Sequence, residues 1–307
     1  CKYPYETNNN AAFLNKSIEL LKAEELEVFY RSSDVSILVG CAPCQPFSAY
    51  SNKKSADEKW KLLYEFSRLT KELKPDIVSM ENVPQLKNHE VFSEFVKTLE
   101  TNGYSVSWYI VYCPDYGIPQ MRRRLVLFAS KFGKINPIER THKPEEYRNV
   151  RDTIYGLNRI RDGRADPEDP LHRASKLSKL NKKRIMATPK GGDWRDWPIE
   201  LRLKCHRKRS GKSYRNVYGR MNWDKPAPTI TTQCTGIGNG RFGHPVQNRA
   251  ISLREAALLQ TFPKYYKFVD PNSEFCKDNV ARHIGNAVPV TLGRVIARSI
   301  KNHLKMN

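Results

Sequence analysis

Val35-Ser36-Ile37-Leu38-Val39 runs into Gly40-Cys41-Ala42-Pro43-Cys44-Gln45-Pro46-Phe47-Ser48, and this stretch decides the fold. Its first five residues have the apolar composition of a buried strand. Two prolines, a glycine and a serine then stop the strand and forbid an immediate helix. Cys44 is therefore expected on a stiff turn at a strand's C-terminal end. In open α/β sheets that edge is where ligands and chemistry gather.

Working outward, the apolar spacing predicts a helix and its exit over residues 11–30, with Phe13, Leu14, Ile18, Leu21 and Leu26 as its stripe. Residues 49–56 read as a polar loop. A helix over 57–73 carries Leu62, Leu63, Phe66 and Leu69 on one side and stops before Pro75. Residues 76–80 form a short strand ending at Glu81-Asn82-Val83-Pro84. A further helix over 89–100 ends at Gly103, a left-handed cap. Residues 104–112 and 124–129 read as strands. Strands alternating with helices of this length predict a mainly parallel sheet covered on both faces.

The character changes after about residue 135. From there to about residue 250 the chain is rich in Arg, Lys, Pro, Gly and Asp. The densest positive run holds Arg202, Lys204, His206, Arg207, Lys208, Arg209, Lys212, Arg215 and Arg220, with Trp194, Trp197, Tyr214, Tyr218 and Trp223 interleaved. Basic residues among aromatics suit phosphate contact combined with packing on bases or sugars. Order returns at Ser252, which forms a capping box with Glu255. A last helix starts near Pro289 and buries Val295, Ile296 and Ile300.

The 307 residues carry a net charge of +21. That surplus favours a polyanionic partner, nucleic acid first. No apolar run approaches the roughly 18 residues that a membrane helix needs. Seven cysteines in a chain of this length read as reduced thiols, which points to a cytosolic or nuclear compartment.

Cys41 and Cys44 make a C-x-x-C pair. A redox site of that pattern runs straight into a helix, whereas Gln45-Pro46-Phe47-Ser48 continues as a turn. A zinc site wants a second pair, and Cys1, Cys113, Cys205, Cys234 and Cys276 are scattered. Cys41 suits a buried, inert role better than Cys44. Glu81 closes the neighbouring strand and faces the same sheet edge. In Gln120-Met121-Arg122-Arg123-Arg124, strand alternation puts Arg122 and Arg124 on one side, suited to a carboxylate, a phosphate or a base carbonyl.

Pro43-Cys44-Gln45, Glu81-Asn82-Val83, Gln120-x-Arg122-x-Arg124, Arg254-Glu255-Ala256 with Gln260-Thr261-Phe262-Pro263, and Gly285-Asn286-Ala287-Val288 resemble, in order, motifs of the DNA cytosine-5 methyltransferases. The resemblance spans almost the whole chain. It implies an α/β, Rossmann-like S-adenosylmethionine-dependent sheet with a smaller, irregular target-recognition domain. It makes Cys44 the thiolate that adds to cytosine carbon 6, and Glu81 the donor to ring nitrogen 3. Arg124, supported by Arg122, would contact the base carbonyl and hold the carboxylate. Ile18, Pro43, Leu62 and Asn286 match positions lining the cofactor pocket. Thr229-Ile230 resembles the pair that fixes the flipped nucleotide's backbone. Gln120, Arg207, Lys208 and Arg209 join Thr229 as expected contacts to double-stranded DNA.

The implied organisation is a catalytic domain over residues 1–160, target recognition over 161–265, and a hinge with a returning helix over 266–307. The setting implied is bacterial restriction–modification in the cytoplasm, associated with the nucleoid. An RNA cytosine methyltransferase and a catalytically silent DNA-binding subunit are the alternatives. Two departures stand out. Ser17 occupies a position that is usually acidic, and the Phe-x-Gly-x-Gly turn of the first motif is absent. The expectation drawn from the second is that a preceding segment, or a second polypeptide, supplies it. No metal is expected.

Overall fold

The computed structural model describes residues 1–30, 34–42, 61–208, 211 and 216–306. Pro43, Cys44, Arg209, Lys212, Tyr214 and Arg215 lie outside the described residues, as does the polar loop expected over 49–56. In chain order the first elements are α1 (Lys2–Asn8), α2 (Glu24–Glu27), β1 (Ile37–Gly40), α3 (Leu62–Leu73), β2 (Ile77–Asn82) and α4 (Glu90–Thr101). Next come β3 (Ser105–Tyr112), β4 (Gln120–Met121), β5 (Arg123–Ser130), α5 (Val150–Ile154), α6 (Lys179–Ala187) and α7 (Lys204–Arg207). The chain finishes with β6 (Ala227–Pro228), α8 (Leu253–Leu259), α9 (Lys277–Asn286) and α10 (Val290–Met306).

Packing divides these elements into two compact units. The sheet unit holds Leu14–Tyr112, Arg123–Glu139 and Gly293–Asn307; the irregular unit holds Cys1–Phe13, Cys113–Arg122 and Arg140–Leu292. The segment 113–122 and the first thirteen residues thus pack with the basic interval rather than with the sheet. Among the described residues no helix is long and apolar enough to cross a membrane.

In the sheet unit four strands lie in the order β1-β2-β5-β3. Only β1 and β2 pair in parallel; β5 runs antiparallel to both β2 and β3. The expected mainly parallel sheet is therefore corrected to a mixed one. The cause is the link between β3 and β5, the ten residues 113–122. A parallel return needs a crossover of a dozen or more residues. Every residue of β2 is buried. Helix α3 buries Leu63, Phe66 and Leu69 one turn apart, and Pro75 ends it at a left-handed Lys74. Leu63 and Phe66 close with Val78, Met80, Phe95, Leu99, Leu125 and Leu127 into one core. Gly40 admits the Phe66 ring, which a Cβ there would meet at 2.5 Å. Gly103, at φ +83°, takes the left-handed position expected after α4.

The helix expected over 11–30 is reduced to a 3-10 turn at Ile18–Leu20 and the short α2. Arg68 of α3 donates to the carbonyls of Ile18 and Leu21, at 3.2 and 2.9 Å. Those carbonyls are thus engaged by a side chain instead of by a continuing helix.

The irregular unit packs Val150, Ile154, Ile230, Leu253, Ala256, Leu259, Phe262 and Ile284 into its own core. Ser252 and Glu255 form the expected capping box at the start of α8. Glu255 is also clasped by Arg249 through two bonds of 2.8 and 2.7 Å, and Arg254 grips Asp169 in the same bidentate way. The Arg-Glu-Ala motif is thus structural here: its two charges are spent on ion pairs that fix α8.

Candidate active site

In the sheet unit the parallel register sets Gly40 beside Met80, so Cys41 follows next to Glu81. Cys41 and Ala42 therefore stand at the edge of the sheet where β2 ends. Glu81 is 8% exposed, and Arg124 Nε stands 2.7 Å from its Oε1. The N–H is not directed at that oxygen, so the contact is an ion pair and Oε1 keeps hydrogen-bonding capacity. Arg124 Nη1 donates to the Arg123 carbonyl at 2.8 Å, which fixes the guanidinium.

Sequence reasoning missed Asn82. Its Nδ2 donates to the Ala42 carbonyl at 3.0 Å, while its Oδ1 accepts from Val83 N at 2.8 Å. One short amide thus ties Ala42, just after β1, to the strand that carries Glu81. The signal was present in an amide directly after a strand-end carboxylate. Cys41, expected to be buried, is exposed as a residue. Its thiol is nevertheless pushed up to about 12, by desolvation first and by the Glu81 carboxylate second. Cys41 is therefore a poor nucleophile at neutral pH.

Of the residues expected to line the cofactor pocket, Ile18 packs against the sheet unit's core, and Arg68 fastens its turn to the helix that begins at Leu62. In the irregular unit Asn286 is the exposed last residue of α9. Its side-chain amide makes no hydrogen bond among the described residues.

Two expectations at the Gln-x-Arg-x-Arg motif need correcting. Gln120, expected to touch DNA, is fully buried and its amide is fully engaged inside the irregular unit. Arg122 and Arg124 do not share the face of one strand, because Arg122 lies in the break between β4 and β5. Arg122 is 4% exposed and donates through Nη1 to the Ile230 carbonyl at 3.2 Å. The Thr229 hydroxyl donates to the Met121 carbonyl at 2.9 Å, beside the short β4–β6 pairing.

The basic interval also divides. Arg207 and Lys208 are exposed, with one Arg207 nitrogen donating to the Ile199 carbonyl. Arg220 is instead 4% exposed and donates to the carbonyls of Thr188, His244, Gln247 and Ile185. Burial pulls its guanidinium down to about 10. Trp194 and Trp197 are buried too: Trp194 stacks on His206 at 4.2 Å, and Trp197 Nε1 donates to Thr188. These residues build the unit's interior and are not surfaces for bases, which corrects the reading of them as DNA-packing aromatics.

A family model described as C-5 cytosine-specific DNA methylase matches residues 1–302. The Type II methylase M.HgiDII of Herpetosiphon aurantiacus is 56% identical over 99% of this chain and 87% of its own length. The Type II methyltransferase M1.BsuMI of Bacillus subtilis is 33% identical over 95% of this chain and 69% of its own. The solved structure of the Entamoeba histolytica methyltransferase EhMeth superposes with a TM-score of 0.64 at 17% identity, covering 99% of this chain and 87% of that one.

Proposed function

The chain belongs to the C-5 cytosine-specific DNA methylase family, and on that premise we propose that it methylates carbon 5 of a flipped-out cytosine in duplex DNA through a covalent bond to Cys44. The observation that carries the reading is the alignment of β1 and β2. It sets Cys41, three residues before Cys44, beside Glu81, with Arg124 paired to Glu81 and Asn82 bonded to Ala42, and this supports the reading.

The steps follow from the residue types. A cysteine on this turn cannot reach a ring atom inside a stacked duplex, so the base leaves the helix. The Cys44 thiolate adds to carbon 6 and pushes an electron pair through the ring onto nitrogen 3. Glu81, as the acid, gives that nitrogen a proton and takes it back when carbon 5 bonds to the methyl group. Arg124 holds the carboxyl group in place. A solvent base then takes the carbon 5 proton, the carbon 6–sulfur bond breaks to release the Cys44 thiolate, and the aromatic ring is restored.

S-adenosylmethionine, when bound, supplies the methyl group on a sulfonium. Within the sheet unit Ile18 and Leu62, half-buried and apolar, suit its apolar parts, and within the irregular unit Asn286 offers an amide with no hydrogen bond among the described residues. Pro43 is assigned to the same group. Arg122 acts through Ile230 rather than on the base. Thr229, Arg207, Lys208 and Arg209 are assigned to the DNA backbone. Residues 161–265 are assigned to target recognition, 1–160 to catalysis and 266–307 to the hinge and returning helix. The relatives' Type II naming supports a restriction–modification setting in a bacterial cytoplasm.

The test is trapping. Fluorine at carbon 5 of cytosine cannot leave as a proton does, so the methyl group is transferred but the elimination that expels Cys44 stalls with the enzyme attached. Duplexes of random sequence carrying 5-fluorocytosine are expected to form an adduct whose peptide map ends at Cys44. An adduct at another residue, or none, overturns the reading.

A further inference from the structure

In the irregular unit two buried glutamines join three segments that are far apart in sequence. Gln120 and Gln260 are both fully enclosed. Gln120 Oε1 accepts from Ile230 N at 3.0 Å and from Arg122 Nη1 at 3.4 Å. Gln120 Nε2 donates to the Leu259 carbonyl at 3.2 Å and to Gln260 Oε1 at 2.9 Å. Gln260 Nε2 in turn donates to the carbonyls of Ile284 at 2.7 Å and Ala287 at 3.2 Å. The backbone carbonyl of Gln260 accepts from Val290 N at 3.2 Å.

The network fixes both amide orientations. Either glutamine turned over would set oxygen against carbonyl oxygen. Both donors of each amide are used, and no cheaper arrangement exists in a dry interior. Three tethers from the single residue Gln260 bracket Gly285-Asn286. A fourth contact is independent of them. A Cβ on Gly285 would stand 2.2 Å from Thr232 N, so α9 lies directly on the backbone that follows Thr229-Ile230. Movement of that backbone is therefore passed to the end of α9 both through the glutamines and through the Gly285 contact.

We propose that Gln260 and Gln120 are positioning residues that couple the segment Thr229-Ile230 to Asn286, so that duplex DNA and the nucleoside cofactor each tighten the binding of the other. This rests on the assignment above of Thr229 to DNA and Asn286 to cofactor. Neither glutamine touches a ligand. Their contribution is a shared, two-ended restraint, which by linkage acts equally in both directions.

The experiment measures the dissociation constant of S-adenosylhomocysteine by titration calorimetry, without DNA and with saturating duplex carrying a site mapped by methylating plasmid DNA. The unsubstituted protein is expected to bind the probe at least about fivefold tighter with DNA, the low end of ordinary coupling. Gln260→Leu cuts the side-chain bonds to Gln120, Ile284 and Ala287. Gln120→Glu keeps acceptance from Ile230 N and the pairing with Arg122 but sets an oxygen against the Leu259 carbonyl and Gln260 Oε1, so it is measured on protein whose melt shows it folded. In both variants the ratio is expected to fall to about one, with DNA binding alone changed less than about threefold. Amide hydrogen exchange at Ile230 and Val290 is expected to slow on cofactor binding in the unsubstituted protein and not in Gln120→Glu.

A ratio retained by folded Gln120→Glu overturns the proposal, as does a ratio of one in the unsubstituted protein. If Gln260→Leu does not fold, Gln120→Glu decides alone. Failure of the unsubstituted protein to bind the probe under either condition overturns the assignment of Asn286 itself, and the coupling with it.

Discussion

At the scale of single residues, the proposed chemistry rests on the Cys44 thiol. Cys44→Ser is expected to reduce methyl transfer by at least about 10³-fold while leaving DNA affinity within about threefold, because a hydroxyl is a poor nucleophile at neutral pH and phosphate contacts do not involve it. Methylation kinetics with tritiated donor and a filter-binding isotherm read the two quantities, and full turnover by the serine variant removes Cys44 from the mechanism. Cys41 gives the complementary case. With its thiol at about 12, its thiolate fraction at pH 8 is on the order of one part in 10⁴, so iodoacetamide should leave it largely unmodified. The raised value keeps the neutral thiol dominant as pH rises until about 12, and alkylation of Cys41 should accelerate only toward that pH. Rapid modification at pH 8, read by peptide mass, would contradict its inert role. The strand-end placement of Glu81 was legible in the sequence because a short apolar run, a carboxylate and a proline mark a sheet edge. The burial of Gln120 was not. A glutamine before three arginines looks like surface, and only the distant partners Ile230 and Gln260 make it interior.

At the scale of elements, local pattern predicted what depends on local physics. The ends of α3 and α4 and the cap of α8 follow from Pro75, Gly103 and the Ser252–Glu255 pair, each acting within a few residues. The direction of β5 does not follow from its own residues. It follows from the length of the link before it, and an alternation of helices and strands says nothing about that link. Residues 11–30 failed as a helix for a related reason, since Arg68, some fifty positions away, takes the carbonyls of Ile18 and Leu21. The Gly285-Asn286 motif carries an element-scale constraint of its own. Gly285→Ala sets a methyl group into the Thr231–Thr232 backbone, which cannot step aside as a side chain could. The substitution is expected to destabilise the protein by about 1–3 kcal/mol, the usual cost of overpacking. Its thermal midpoint should fall accordingly, and turnover should fall further than stability alone explains because α9 is displaced. A midpoint unchanged by the alanine would mean that the helix and the segment do not touch in solution.

At the scale of the whole molecule, the net charge of +21 is the quantity that the sequence reports most directly, and it is also the easiest to misassign. Part of it is internal. Arg220, Arg249 and Arg254 are buried and committed to carbonyls or carboxylates, so they add to the formal charge without meeting a phosphate. The cations able to meet one are the exposed ones, and Arg207 and Lys208 are exposed members of the densest run. Duplex binding is therefore expected to weaken steeply with salt, as each neutralised phosphate releases condensed counterions. Replacing Arg207, Lys208 and Arg209 together with glutamine should lower the slope of log affinity against log salt by about 2 to 3, close to 0.9 for each phosphate no longer neutralised. The same replacement should leave the thermal midpoint nearly unchanged, because exposed cations contribute little to folding. Fluorescence anisotropy with a labelled duplex at several salt concentrations reads the slope, and a melt reads the control. Replacing Arg220 instead separates charge from architecture. Its removal strands the carbonyls of Thr188, His244, Gln247 and Ile185 in the interior. That variant should lose midpoint and DNA affinity together, with no selective change of slope while folded. A triple variant whose slope moves by less than about 0.5 would show that this run does not lie on the DNA. The phosphates would then have to be met by other exposed cations of the chain.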